Sequence, residues 1–155
     1  MANTYTQMNV HAVFSVLGRE NLLIDKLRPE LFKYISGILK NSKQFPLAVN
    51  GYKDHVHIFF ELHPTTSVSE VIQIVKTNSS KWINDNNILA EKFNWQSGYG
   101  AFTYMRSQRN DVINYIINQE KHHAKRSFKD EYIDLLRKFE IDYKDAYLFE
   151  FYDDI

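Results

Sequence analysis

Hydrophobic and polar positions alternate with two periods along this chain. Residues 4–16 mix β-branched and aromatic side chains in rough alternation and predict a strand. Leu27, Leu31, Tyr34, Ile35, Ile38 and Leu39 then recur at helical spacing, with Asp25 as candidate cap. Two further strands are predicted over 45–52 and 55–62. After the break at 64–67, Ser67 or Ser69 caps a helix that carries Val71, Ile72, Val75 and Trp82 and ends by 84–87. Gly98 and Gly100 flank Tyr99 and lead into a strand over 101–105. A helix starting at Asn110 or Asp111 runs to about 125, and a last one spans 127–139. The aromatic, acidic tail over 147–155 has no predicted placement. The order β-α-β-β-α-β, with helices added at the end, predicts an α+β fold. In it, helices pack on an antiparallel sheet as in ferredoxins and RNA-recognition modules.

Two of these elements carry candidate chemistry. At period two, Val56, Ile58, Phe60 and Leu62 share the core face of the third strand, while His55, His57, Phe59, Glu61 and His63 share the other. Two imidazoles two residues apart can reach one divalent ion. The same pattern also describes solvent-facing histidines, so His-x-His alone decides nothing. On the helix from about 111, Val112, Ile113, Ile116 and Ile117 form an apolar stripe. Tyr115, Gln119 and His122 lie beside it, Tyr115 and Gln119 one turn apart and able to converge. Packing for Tyr115 and solvation for Gln119 are the plainer alternatives. The run Lys121-His122-His123-Ala124-Lys125-Arg126 concentrates positive charge, which suits either a helix C-terminus or a phosphate contact.

Composition narrows the classes. With 155 residues and 3 Pro and 5 Gly, the chain suits one domain over 1–155, with a core over about 4–136 and a tail from about 140. No cysteine is present, which excludes disulfides, thiolate zinc sites and cysteine nucleophiles. Neither a signal peptide nor an apolar run of the roughly 20 residues that cross a membrane is visible, so a cytoplasmic protein is expected. A net charge of zero argues against non-specific coating of DNA but allows a local basic patch. Without a Gly-x-x-x-x-Gly-Lys-Ser/Thr loop, no nucleotide cofactor is expected.

Asp54-His55-Val56-His57, Trp95-Gln96-Ser97-Gly98-Tyr99-Gly100-Ala101-Phe102, Ser107-Gln108 and Tyr115-Ile116-Ile117-Asn118-Gln119 followed by His122-His123 occur in an order and spacing that resemble the single-tyrosine HUH transposases of bacterial insertion sequences. His11-Ala12-Val13-Phe14-Ser15 resembles that family's opening strand, and the likeness runs from about residue 4 to 136. Arg19-Glu20-Asn21 departs from it, standing where relatives often carry a more basic stretch.

The resemblance implies an HUH-type nuclease core. His55, His57 and Gln119 would hold one Mg²⁺ or Mn²⁺, and Tyr115 would be the nucleophile. The substrate would be single-stranded DNA with hairpin ends. A homodimer is implied, in some members with the histidines of one subunit serving the tyrosine of the other. Lys121, Lys125 and Arg126, then Lys53 and Arg106, are the candidate DNA contacts, and Glu61, His63 and His122 the candidates to support the site. A replication initiator or relaxase, a domesticated enzyme processing repeated hairpins, and a non-catalytic nucleic-acid-binding module are the rival readings.

Overall fold

In the computed structural model, residues 3–18 and 22–152 are described, so Arg19-Glu20-Asn21 lies outside the described residues. Four strands, β1 (Asn9–Ser15), β2 (Phe45–Gly51), β3 (His55–Glu61) and β4 (Gly100–Tyr104), form one antiparallel sheet in the order β2-β3-β1-β4. Helices α1 (Leu27–Asn41) and α2 (Val68–Asp85) connect them, α3 (Arg109–Ile117), α4 (Gln119–His123) and α5 (Phe128–Lys138) follow, and a short 3₁₀ turn precedes α3. The expected α+β architecture with its ferredoxin-like strand order is present.

The two faces of the sheet are covered differently. Val10, Ala12 and Phe14 of β1 stand opposite Phe60, Ile58 and Val56 of β3, and these residues meet the buried stripes of α1 (Leu31, Ile35, Leu39) and α2 (Val71, Ile72, Val75). On the other face, α3 lays Val112 and Ile116 onto Phe59. Burying such a side chain stabilises the fold by about 1.5–3 kcal/mol, enough to hold a short helix on the sheet. Here β3 is buried on both faces, and its histidines point into the layer beneath α3–α5 rather than into solvent.

Four expectations need correction. The first strand begins at Asn9, not at residue 4, because residues 4–7 are exposed and pair with nothing in the sheet. Asp25 does not cap α1; its carboxylate bonds Arg28 at 2.5 Å, and the cap position falls on Lys26. The single helix expected to run to about 125 is two helices, broken at Asn118. Ile117, assigned to the apolar stripe, is 59% exposed. Of the two serines expected to cap α2, Ser67 does so, and Ser127 caps α5; they accept from the backbone N–H of Glu70 and Asp130 at 3.1 Å each. The tail packs back on the body, where Gln96 bonds the backbone of Glu150 in both directions and Phe149 joins the core.

Candidate active site

The hairpin between β2 and β3 sets the first candidate ligands. Gly51 is required there, because a Cβ would stand 2.2 Å from the carbonyl oxygen of His55. Asp54 and His55 are thereby placed side by side, and the Asp54 carboxylate holds His55 Nδ1 at 2.7 Å. The ring of His55 stacks on Phe128 at 3.9 Å. Its Nε2 faces inward, 3.1 Å from Gln119 Oε1 and 3.4 Å from Glu131 Oε1. His57, two residues on, has Nδ1 2.8 Å from His11 Nε2 and its own Nε2 3.2 Å from Glu131 Oε1. Both imidazoles are therefore fixed from behind and present Nε2 to one point, the arrangement that orients metal-binding histidines.

The break at Asn118 delivers the helix residues. Asn50 donates to the carbonyls of Ile116 and Ile117, both at 2.9 Å, and so closes α3 where its carbonyls would otherwise lack partners. The chain restarts as α4 with Gln119 fully buried, its Nε2 donating to Glu131 Oε2 at 2.8 Å. Tyr115 comes from the last turn of α3. Its hydroxyl donates to Glu131 Oε2 in a short hydrogen bond, and its ring lies edge-on to His57 and stacked on His122.

Glu131 is the residue the sequence reasoning missed. It comes from α5, and three histidine Nε2 atoms surround its Oε1: His123 at 3.1 Å, His57 at 3.2 Å and His55 at 3.4 Å. A signal was present: Phe128, Tyr132, Leu135 and Leu136 form the helix's buried stripe, and Glu131 is the one carboxylate among them. Gly100 helps to place it, since Tyr132 packs so closely on β4 that a Cβ would meet its hydroxyl at 2.7 Å. His11, Asp54 and His123 were read only as parts of motifs.

Burial and charge act together here. Burial pushes the Glu131 carboxyl up, but His57, His123 and His55 outweigh it and hold the carboxyl well below its usual range. Burial pulls His55 down, while its hydrogen bonds to Asp54 and Glu131 more than reverse this and raise it to about 10. This spot thus favours positive charge strongly. Burial lowers His57, leaving a neutral imidazole, the form that ligates. Tyr115 is raised above the ordinary phenol value, first by burial and then by the charge of Glu131.

Of the candidate supporting groups, only His122 touches the site. Glu61 lies four residues beyond His57, about 13 Å along an extended strand, and pairs with Arg109 at 2.5 Å. His63 closes the turn after β3 through Thr65 at 2.7 Å. Lys53, Arg106, Lys121 and Lys125 are exposed. Arg126 pairs with Asp134 at 2.8 Å and lines, with Tyr104, Tyr115, Glu131 and Lys138, a cavity of about 310 Å³.

A divalent ion fits these donors. His55, His57 and Glu131 offer ligand atoms within 4.8 Å of one another, Gln119 adds an amide oxygen, and the surroundings favour a cation. If Asp54 orients His55 for such an ion, Asp54→Asn is expected to weaken Mn²⁺ binding by about 10- to 100-fold. Calorimetric titration of both proteins would show it, and equal affinities would refute that role.

The family model described as "Transposase IS200 like" matches residues 4–119. The chain belongs to this family of transposases. The match includes His11, the His55–His57 pair, Tyr115 and Gln119, and stops short of His123 and Glu131. Two solved structures share the fold. One is a candidate transposase from Deinococcus radiodurans, at 18% identity and a TM-score of 0.61, covering 76% of this chain and 94% of that one. The other is a REP-associated tyrosine transposase bound to a REP hairpin, at 16% identity and a TM-score of 0.57, covering 99% and 96%. No curated protein matches the chain. Among the described residues of this transposase, no helix is long and apolar enough to cross a membrane.

Proposed function

We propose that the protein cleaves and rejoins single-stranded DNA at hairpin-bearing ends through a covalent 5′-phosphotyrosine at Tyr115. The convergence of the Tyr115 hydroxyl with His55, His57, Gln119 and Glu131 within one chain carries this reading.

His55, His57 and Gln119 would hold one Mg²⁺ or Mn²⁺, with Glu131 Oε1 beside them. When bound, the ion supplies positive charge to the non-bridging oxygens of the scissile phosphate. Tyr115 attacks phosphorus in line, forming the Oη–P bond as the P–O3′ bond breaks, and a 3′-hydroxyl is released. The phosphodiester's energy is kept in the new ester, so attack by a 3′-hydroxyl rejoins DNA without a nucleotide cofactor. The cavity beside Tyr115 gives the strand its approach, with Arg126 and Lys138 on its wall as phosphate contacts. Lys53, Arg106, Lys121 and Lys125 extend the contact surface, in keeping with recognition by shape from a chain of no net charge.

The hairpin bound to the second structural relative supports hairpin ends as the substrate. That one chain brings these groups together supports Tyr115 working with the histidines of its own subunit. A homodimer would then serve to hold two DNA ends, not to complete a site. A cytoplasmic location accords with this substrate. A purely binding module would gain nothing from burying a carboxylate among three histidines, an arrangement that is costly to desolvate.

Incubation with labelled single-stranded DNA carrying the hairpins that flank its own gene is expected to give an SDS-stable protein–DNA adduct. Mg²⁺ or Mn²⁺ should support it and EDTA abolish it. Hairpin binding with no adduct under either metal would favour the binding-module reading.

A further inference from the structure

We propose that Glu131 takes the proton of Tyr115 during cleavage and holds the hydroxyl in place for attack. The proposal rests on the reading of Tyr115 as nucleophile, and it assigns a role to a residue outside the family match.

The two oxygens of Glu131 face different neighbours. Oε1 is turned to His55, His57 and His123, on the side where an ion would sit. Oε2 accepts the Tyr115 hydroxyl and the side-chain amide of Gln119. The Gln119 bond fixes the carboxylate plane, so the Tyr115 proton points at an acceptor that cannot rotate away. Glu131 is itself buried, on a helix anchored by Phe128, Tyr132 and Leu135, so water does not compete for the proton from that side. Among the described residues no other carboxylate bonds the Tyr115 hydroxyl.

The step balances without any further reactant. As Oη–P forms, the Oη–H proton passes to Glu131 Oε2, and the electron pair of that bond becomes the nucleophile's. The P–O3′ bond breaks, and the departing 3′ oxygen takes a proton from water. In rejoining, a 3′-hydroxyl attacks the phosphotyrosine, and Glu131 returns its proton to the leaving phenolate.

Glu131→Gln separates the two sides. The amide can keep an oxygen toward the histidines, but its nitrogen cannot accept from Tyr115. The test compares wild type and E131Q for Mn²⁺ affinity by calorimetry, thermal melting, and the single-turnover rate of adduct formation on the flanking hairpin DNA. Each is also made with 3,5-difluorotyrosine at position 115, whose more acidic phenol needs less help from a base. Assayed at Mn²⁺ that saturates each protein, E131Q should lose about 10²- to 10⁴-fold in adduct rate and recover most of that loss with the fluorinated tyrosine. An unchanged rate in E131Q would overturn the assignment. So would Mn²⁺ affinity that falls in step with the rate and a fluorinated tyrosine that restores nothing, since Glu131 would then be a ligand only. If E131Q fails to fold, Glu131→Asp carries the same comparison, as it keeps the charge near the histidines but withdraws it from Tyr115. A wild type that binds the hairpin yet forms no adduct would instead sink the nucleophile reading itself.

Discussion

Tyr115→Phe should leave hairpin binding and Mn²⁺ affinity as they are while reducing the SDS-stable adduct by at least about 10⁴-fold. The change removes one oxygen and nothing else from the site. The ring keeps its edge contact with His57 and its stack on His122, both of which belong to the aromatic carbons. Glu131 Oε2 loses one donor but retains Gln119, so the buried carboxylate is not left bare. The cost in stability should therefore stay near the roughly 1 kcal/mol of an ordinary hydrogen bond, visible as a small fall in melting temperature. The loss in chemistry is of another order, because among the described residues no other hydroxyl bonds Glu131. Adduct formation that survives in the variant would move the nucleophile elsewhere, and mass spectrometry of the linked peptide would say where.

That Tyr115 belonged to a site could be read from spacing, but the form of the site could not. Tyr115 and Gln119 stand four apart, and a continuous helix would place them on one face. The chain reaches the same result by a break at Asn118, fixed by Asn50 from a strand 66 residues away. No local pattern encodes such a contact. The β3 histidines were visible at period two, yet their burial depends on α3 covering a face that alternation alone leaves open to solvent. The elements themselves were easier to read. Ser67 and Ser127 sit ahead of strong helical stripes, and Gly98 and Gly100 flank Tyr99 at the start of β4. The exposed residues 4–7 show the converse error, in which a strand-like composition finds no partner strand.

Glu131 marks where motif reading ends. It lies after the segment that the family model matches. Only the packing of α5 against β4 and the site brings the carboxylate in. A charged residue on an apolar helical stripe was the available clue, because a buried carboxylate needs partners and the nearest donors are the histidines.

His57→Ala is the second change with a large expected effect, and it acts on the metal and the fold at once. His57 is held between His11 and Glu131 and burial lowers its pKa, so the imidazole can turn an Nε2 lone pair to an ion by shifting its proton to Nδ1, with no net proton to lose. Its removal takes away a proposed ligand, and Mn²⁺ affinity should fall by more than the roughly 10- to 100-fold that loss of an orienting partner costs. The alanine also leaves His11 Nε2 without its partner and Glu131 Oε1 with two histidines in place of three. One buried polar group left unsatisfied costs about 1–3 kcal/mol, so the metal-free variant should melt below the metal-free wild type. His57→Gln separates the two effects, since an amide can still bond His11 and Glu131 while replacing the imidazole. Melting with and without Mn²⁺ gives the readout. An ion that binds only the folded state raises stability by RT ln(1 + [L]/Kd), so the wild type should gain with added Mn²⁺ and both variants should gain little. Should His57→Gln gain as much as the wild type, His57 would not be a ligand, and the cation would have to be held by His55, Gln119 and Glu131 alone.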